Sequence, residues 1–125
     1  MKLLAFLFLA LHVAHPLTLN ANDMNSLLYN GNCITCHKDT KEESAPSMFE
    51  VKQRYLSAFK DKKKFISYMS KWVINPDEKT SLMHDSIKKH GLMPSLGFDE
   101  EMLNDIATHI YETDFKINGG RYWSK

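Results

Sequence analysis

Cys33-Ile34-Thr35-Cys36-His37 is the segment of this chain best suited to chemistry. Its two thiols are about one helical turn apart, and an imidazole follows at once. Four uses of such a pair compete. A dithiol redox site wants a strand–helix–strand setting, and none is visible. Half a zinc site would need a second ligand pair at matching spacing, and no second cysteine pair is present. A disulfide between them would close a tiny loop and stabilise little. The adjoining histidine favours the fourth, because C-x-x-C-H is the attachment signature for c-type haem. Each thiol can add to one haem vinyl group, and the next residue then brings its imidazole to the iron. The expected cofactor is one covalently attached haem c with its iron, bound through Cys33 and Cys36 and ligated by His37.

A low-spin iron needs a second strong axial ligand. Of seven methionines, Met93 and Met83 are the candidates, while Met69 and Met102 lie on helical stripes where methionine is ordinarily filler. Pro94 holds Met93 extended, a geometry that can aim its side chain inward. His84 and His90 would instead give bis-histidine ligation. Arg54 and Trp72 are candidates for contact with the haem propionates.

The elements that must position these groups all read as helices, with no alternating β-branched run and no hairpin signal. A first helix starts near Asn22 or Asp23, carries Met24, Leu27 and Leu28 on one face, and runs into the cysteine motif. A polar loop follows from Lys38 to Ser44, and Pro46 suits the first turn of a second helix. Its apolar positions are Met48, Val51, Tyr55, Leu56 and Phe59. A third helix spans about Asp61 to Ile74, with Phe65, Met69 and Trp72 on one face, and Asn75-Pro76 stops it. A weaker helix covers about Glu78 to Lys89 and ends at Gly91, and Leu92 to Gly97 should be extended. The last helix opens on Asp99, with Glu100 and Glu101 in its first turn, and buries Leu103, Ile106, Ala107 and Ile110.

Residues 1–21 read as an export signal. Lys2 is a minimal basic region, Leu3 to Ala14 is a twelve-residue apolar stretch, and Leu19-Asn20-Ala21 offers small-residue cleavage chemistry. The alternative is a retained N-terminal membrane anchor, for which Leu3 to Leu19, interrupted by His12, His15 and Pro16, is marginal. The remaining residues, 22–125, then form one domain, too small to be at ease without a large apolar cofactor. The whole chain has 16 basic and 15 acidic residues, without the basic excess of a nucleic-acid protein. Lys60, Lys62, Lys63 and Lys64, with Lys38 and Lys41, form either a solvated helix start or a surface that steers acidic redox partners.

Several landmarks stand in order along the chain: Tyr29 before the motif, Ala45-Pro46-Ser47 after it, then Val51, Arg54 and Tyr55, Trp72 with Asn75-Pro76, and Met93-Pro94 before Asp99-Glu100-Glu101. With Cys33 to His37, this order resembles the class I c-type cytochromes, the small monohaem family of bacteria and mitochondria, from about Met24 to Phe115. The resemblance implies an all-α fold of four to five helices wrapped around one haem. It implies Met93 as distal ligand, with Met83 as runner-up, and the Pro46 carbonyl as acceptor for the His37 N–H. His109 departs from the pattern, which usually has an aromatic residue there to meet Tyr29.

The implied function is one-electron transfer in the periplasm, not catalysis: no Ser-His-Asp set, paired catalytic carboxylates or phosphate loop is present. The expected partners are a donor complex and a terminal oxidase, peroxidase or reductase. The chain should be a monomer with no small-molecule substrate and no nucleic acid, meeting membranes only through partner complexes. The alternatives are a haem-bearing subunit of a larger redox enzyme, or a haem-based ligand sensor or peroxidase-like protein with an open sixth position.

Overall fold

The computed structural model describes residues 20–115, which are all-helical, with no strand among them. Five α-helices follow in order: α1 (Ala21–Asn32), α2 (Met48–Ala58), α3 (Lys62–Ile74), α4 (His84–His90) and α5 (Glu100–Glu112). A 3-10 turn at Glu78–Thr80 precedes α4. Most of the expected export segment and the tail from Lys116 lie outside the described residues. No described helix is long and apolar enough to cross a membrane.

Local chemistry sets most helix starts. The side chains of Asn20, Ser47, Asp61 and Asp99 accept hydrogen bonds from the N–H groups of Asp23, Glu50, Lys64 and Met102, which satisfies donors that a helix N-terminus leaves without partners. Because α1 is capped by Asn20, a cut after Ala21 would remove that cap. Pro46 stands just before the Ser47 cap, not in the first turn of α2 as its sequence position suggests. The next two orphan donors of α2, Met48 and Phe49 N–H, bond to the carbonyls of Lys38 and Asp39, each at 2.8 Å.

Two further expectations are corrected. The helix expected over Glu78 to Lys89 is broken. After the 3-10 turn, Ser81 is extended and its hydroxyl accepts from Met83 N–H at 3.0 Å, a local bond that competes with helix continuation. The core face of α1 is also rotated from the expected stripe. Asn25 and Tyr29 are buried, whereas Met24 and Leu27 are exposed.

The core forms where α5 packs against α3 and α1, its two most extensive neighbours. Leu103, Ile106, Ala107 and Ile110 of α5 join Tyr29, Met48, Tyr55, Phe65, Met69 and Phe115 in one buried cluster. The expected stripe of the last helix is thus the buried one. His109 fills the aromatic place opposite Tyr29: the two rings lie 5.0 Å apart, tilted by 36°. Burial lowers the His109 pKa, so the imidazole is held toward its neutral form and packs as a ring.

Candidate functional site

The turn that carries the motif is a continuation of α1. Cys33 N–H bonds to the Tyr29 carbonyl at 2.9 Å, and His37 N–H bonds to the Cys33 carbonyl at 2.9 Å. The chain then folds back as a loop tied at both ends. Tyr29 Oη donates to Asp39 at 2.8 Å, and the carbonyls of Lys38 and Asp39 cap α2. The buried Tyr29 hydroxyl therefore has its partner, and burial with that acceptor raises its pKa. This bracing holds Cys33, Cys36 and His37 against the rest of the fold.

His37 is the best-defined group of the site. Its Nδ1 lies 2.8 Å from the Pro46 carbonyl. A carbonyl only accepts, so Nδ1 carries the hydrogen and Nε2 keeps its lone pair. Burial lowers the His37 pKa; the bond to Pro46 opposes this, and nearby His90 adds to it. The result is a neutral imidazole of fixed tautomer, the form that ligates a metal. Cys33 and Cys36 are free thiols. Burial, with Cys36 as a lesser cause, pushes the Cys33 thiol up to about 11. Reactive dithiols depend on a lowered thiol pKa, so this environment does not suit thiol–disulfide exchange.

These three residues line a cavity of about 280 Å³. Its other walls are almost wholly apolar: Met48, Val51 and Tyr55 from α2, Met69, Trp72 and Val73 from α3, and Leu103, Ile106, Ala107 and Ile110 from α5. The fourth wall comes from Leu82, Met83, Ile87 and His90, and from Leu92, Met93, Pro94 and Leu96. The segment containing Met93 is framed by two glycines, Gly91 and Gly97, with φ of 85° and 72°. Positive φ is a conformation that L side chains rarely adopt, so glycine is required at both ends of this strap. Ser95 Oγ fastens the strap to the end of α3 by donating to the Ile74 carbonyl at 3.1 Å.

The remaining candidates sort as follows. Met93 and Met83 both line the cavity. Met83 is buried but stands outside the main apolar cluster, whereas Met69 belongs to it. Trp72 also lines the cavity, but its indole N–H is taken by the Asp77 carbonyl at 3.1 Å. Arg54 does not line it; it pairs with Asp85 at 2.9 Å in an exposed bridge. His84 and His90 have H-x₅-H spacing, which a zinc pair can take. The structure separates their roles: His84 is exposed, and His90 Nε2 donates to Glu42 at 2.7 Å. Among the described residues no group of three or more His, Cys, Asp or Glu is placed to hold a metal ion.

Two features escaped the sequence. Glu42 accepts from both Lys89 and His90, at 2.6 and 2.7 Å, and latches the motif loop to the end of α4. Ser70, 1% exposed, lines the cavity with a hydroxyl that bonds to nothing in the protein. Its only sequence signal is a small polar residue between Met69 and Trp72.

The donor set fits a haem. The cavity joins a large apolar lining to two thiols, a neutral imidazole with a free Nε2 lone pair, four thioethers and an orphaned hydroxyl. Comparison of the chain with family models, with curated proteins and with solved structures finds no match.

Proposed function

We propose that this chain is an exported c-type cytochrome of the class I kind, a periplasmic carrier of single electrons. Cys33 and Cys36 hold one haem through thioether bonds, His37 is its proximal ligand and Met93 its distal ligand. The observation that carries this reading is the His37–Pro46 hydrogen bond. It fixes a neutral imidazole, one residue after a cysteine pair, on the wall of a large apolar cavity.

When bound, haem supplies a one-electron Fe(II)/Fe(III) couple. The protein's part is to hold and tune it. Pro46 orients the His37 ring and raises its basicity as a ligand. The Met93 thioether is soft and neutral, which favours Fe(II) and raises the potential relative to a second imidazole. The apolar walls act in the same direction, because they disfavour the extra positive charge of the oxidised state.

Lys63, Lys64 and Lys71 line a shallow groove on α3 with Phe59, Tyr68 and Trp72. Trp72 thus borders both this groove and the cavity. The first turn of α3 carries three lysines and no acid, a placement the helix dipole disfavours. An acidic redox partner seated there would relieve that repulsion and approach the cavity from the Trp72 side. Association with such a partner should weaken as salt rises. A second reading, a haem subunit in a lasting complex, is favoured by one observation: Leu92 and Leu96, on the cavity rim, are 45% and 53% exposed. Sedimentation or co-purification from periplasmic extract separates the two.

The test is expression with export and haem-attachment machinery. The expected product is a pigment that survives denaturing electrophoresis and acidified organic solvent, with the near-infrared band of Met-to-Fe(III) charge transfer. A colourless protein, or one that releases its pigment to the solvent, overturns the reading.

A further inference from the structure

Helical serines and threonines usually spend their hydroxyl on the carbonyl one turn back. Ser57 does so to Gln53 at 2.9 Å, and Thr108 to Asn104 at 2.7 Å. Ser70, in the middle of α3, does not. It is 1% exposed, and its Oγ is the one buried side-chain polar atom among the described residues without a hydrogen-bond partner. It lines the cavity. Folds rarely tolerate a buried hydroxyl with no partner. Since no protein acceptor is in reach, the acceptor belongs to whatever the cavity holds.

We propose that Ser70 is a positioning residue whose hydroxyl donates a hydrogen bond to a carboxylate of the bound tetrapyrrole, and so sets how the group sits in its cavity. This rests on the haem reading above. A haem commits its four nitrogens to the metal, and its periphery is hydrocarbon apart from two carboxylates, so a carboxylate is the acceptor it offers a hydroxyl. The two side chains that the sequence suggests for this contact are otherwise engaged. Arg54 is paired with Asp85 away from the cavity, and the Trp72 N–H is held by the Asp77 carbonyl. Ser70 is left facing the cavity with a fully buried hydroxyl that no protein group engages.

The experiment compares the holoproteins of the wild type, Ser70→Ala and Ser70→Thr by redox titration from acid to mildly alkaline pH. A carboxylate charge favours Fe(III), so the potential falls as the carboxylate loses its proton. A donated hydrogen bond favours the charged carboxylate, and removing it raises the carboxylate pKa. In Ser70→Ala the fall in potential should move to higher pH by on the order of one unit, and Ser70→Thr should restore it. The other titratable groups on the cavity walls are Cys33, Cys36, His37, Tyr55 and His90. The thioethers and the iron engage the first three, and Tyr55 titrates far to the alkaline side. Repeating the series on a His90→Gln background removes the remaining one.

A shifted curve with threonine rescue supports the proposal. Superposable curves overturn it and leave the hydroxyl to a buried water. An offset that is constant with pH and accompanied by a moved near-infrared band also overturns it, because the hydroxyl then acts on the axial thioether. A wild type without covalent pigment removes the haem reading and this proposal together, whereas pigmented proteins with identical curves remove the proposal alone.

Discussion

Where α5 meets α1 and the start of α3, rings close on rings. Tyr29 lies 5.0 Å from His109 and 5.7 Å from Phe115, and Phe65 meets Tyr111 edge-on at 5.2 Å. The Tyr29 hydroxyl has its acceptor in Asp39. On the cavity side, the same α5 presents Leu103 and Ile106 to walls that carry Met48, Met69, Met83 and Met93. That side also holds the orphaned Ser70 hydroxyl and the glycine-framed strap. Rigid rings and paired polar groups specify one arrangement. Thioethers on flexible stems adapt to an occupant. The difference separates a side of the fold whose geometry is fixed from a side with room to adapt to an occupant.

The comparison breaks most sharply at the methionine proposed as axial ligand. If Met93 completes the iron's coordination, Met93→Ala should convert the iron to a high-spin form, abolish the near-infrared charge-transfer band and lower the potential. Met83→Ala, on the same wall, should leave all three nearly unchanged. Absorption and redox titration of the two holoproteins decide between them. Reversal of the two outcomes would transfer the distal role to Met83, whose burial outside the main cluster makes it the rival.

Packing gives the next largest contrast. Phe65 is fully buried between Tyr55 and Tyr111, so Phe65→Ala should cost the holoprotein about 3–5 kcal/mol in denaturant unfolding. Met69→Leu keeps volume at a site that borders the cavity and should cost less than about 1.5 kcal/mol. Equal losses would mean that the two sides are packed alike.

Legibility in the sequence follows the same division. The Asp99 cap and the buried stripe of α5 are local signals, and the structure carries both as read. What was hidden depends on contacts distant in sequence. Arg54 is drawn from the cavity by Asp85, 31 residues on. The buried face of α1 includes Asn25, while Met24 and Leu27 stay outside, which hydropathy alone ranks the wrong way round. The break before α4 puts Leu82 and Met83 on the cavity wall, a tertiary demand that overrides the helical pattern of Glu78 to Lys89. The orphaned Ser70 hydroxyl is visible only once every neighbour is placed.

The strap offers a smaller and cleaner test. A Cβ added at Gly97 would meet nothing within 4 Å, so only its φ of 72° resists substitution. Gly97→Ala should therefore cost about 1–2 kcal/mol through backbone strain, without a packing term. The strain falls beside Met93, so the near-infrared band should weaken as the strap opens, whereas the Tyr29 side should keep its near-ultraviolet dichroism. Simultaneous loss of both signals would show that strap and core unfold as one unit.

The smallest effect expected is a pH dependence on the closed side. Burial lowers the pKa of folded His109 below its ordinary value near 6.5, with Asp39 and Glu112 opposing and Lys52 assisting. Above the ordinary value, the imidazole is neutral in both states and its packing on Tyr29 contributes in full. As pH falls below about 6.5 the unfolded chain takes up the proton first, so stability declines until the lowered folded pKa is passed. His109→Phe removes this titration while keeping a ring against Tyr29. The difference in stability between wild type and variant should be flat above neutral pH and widen in the variant's favour as the solution becomes mildly acidic. A difference that stays constant across that window would mean that the imidazole titrates alike in the folded and unfolded chain, whereas one that moves in the wild type's favour as pH falls would mean that the imidazole is held charged in the fold. The Tyr29 contact would then be a cation over a ring, not one ring packed on another.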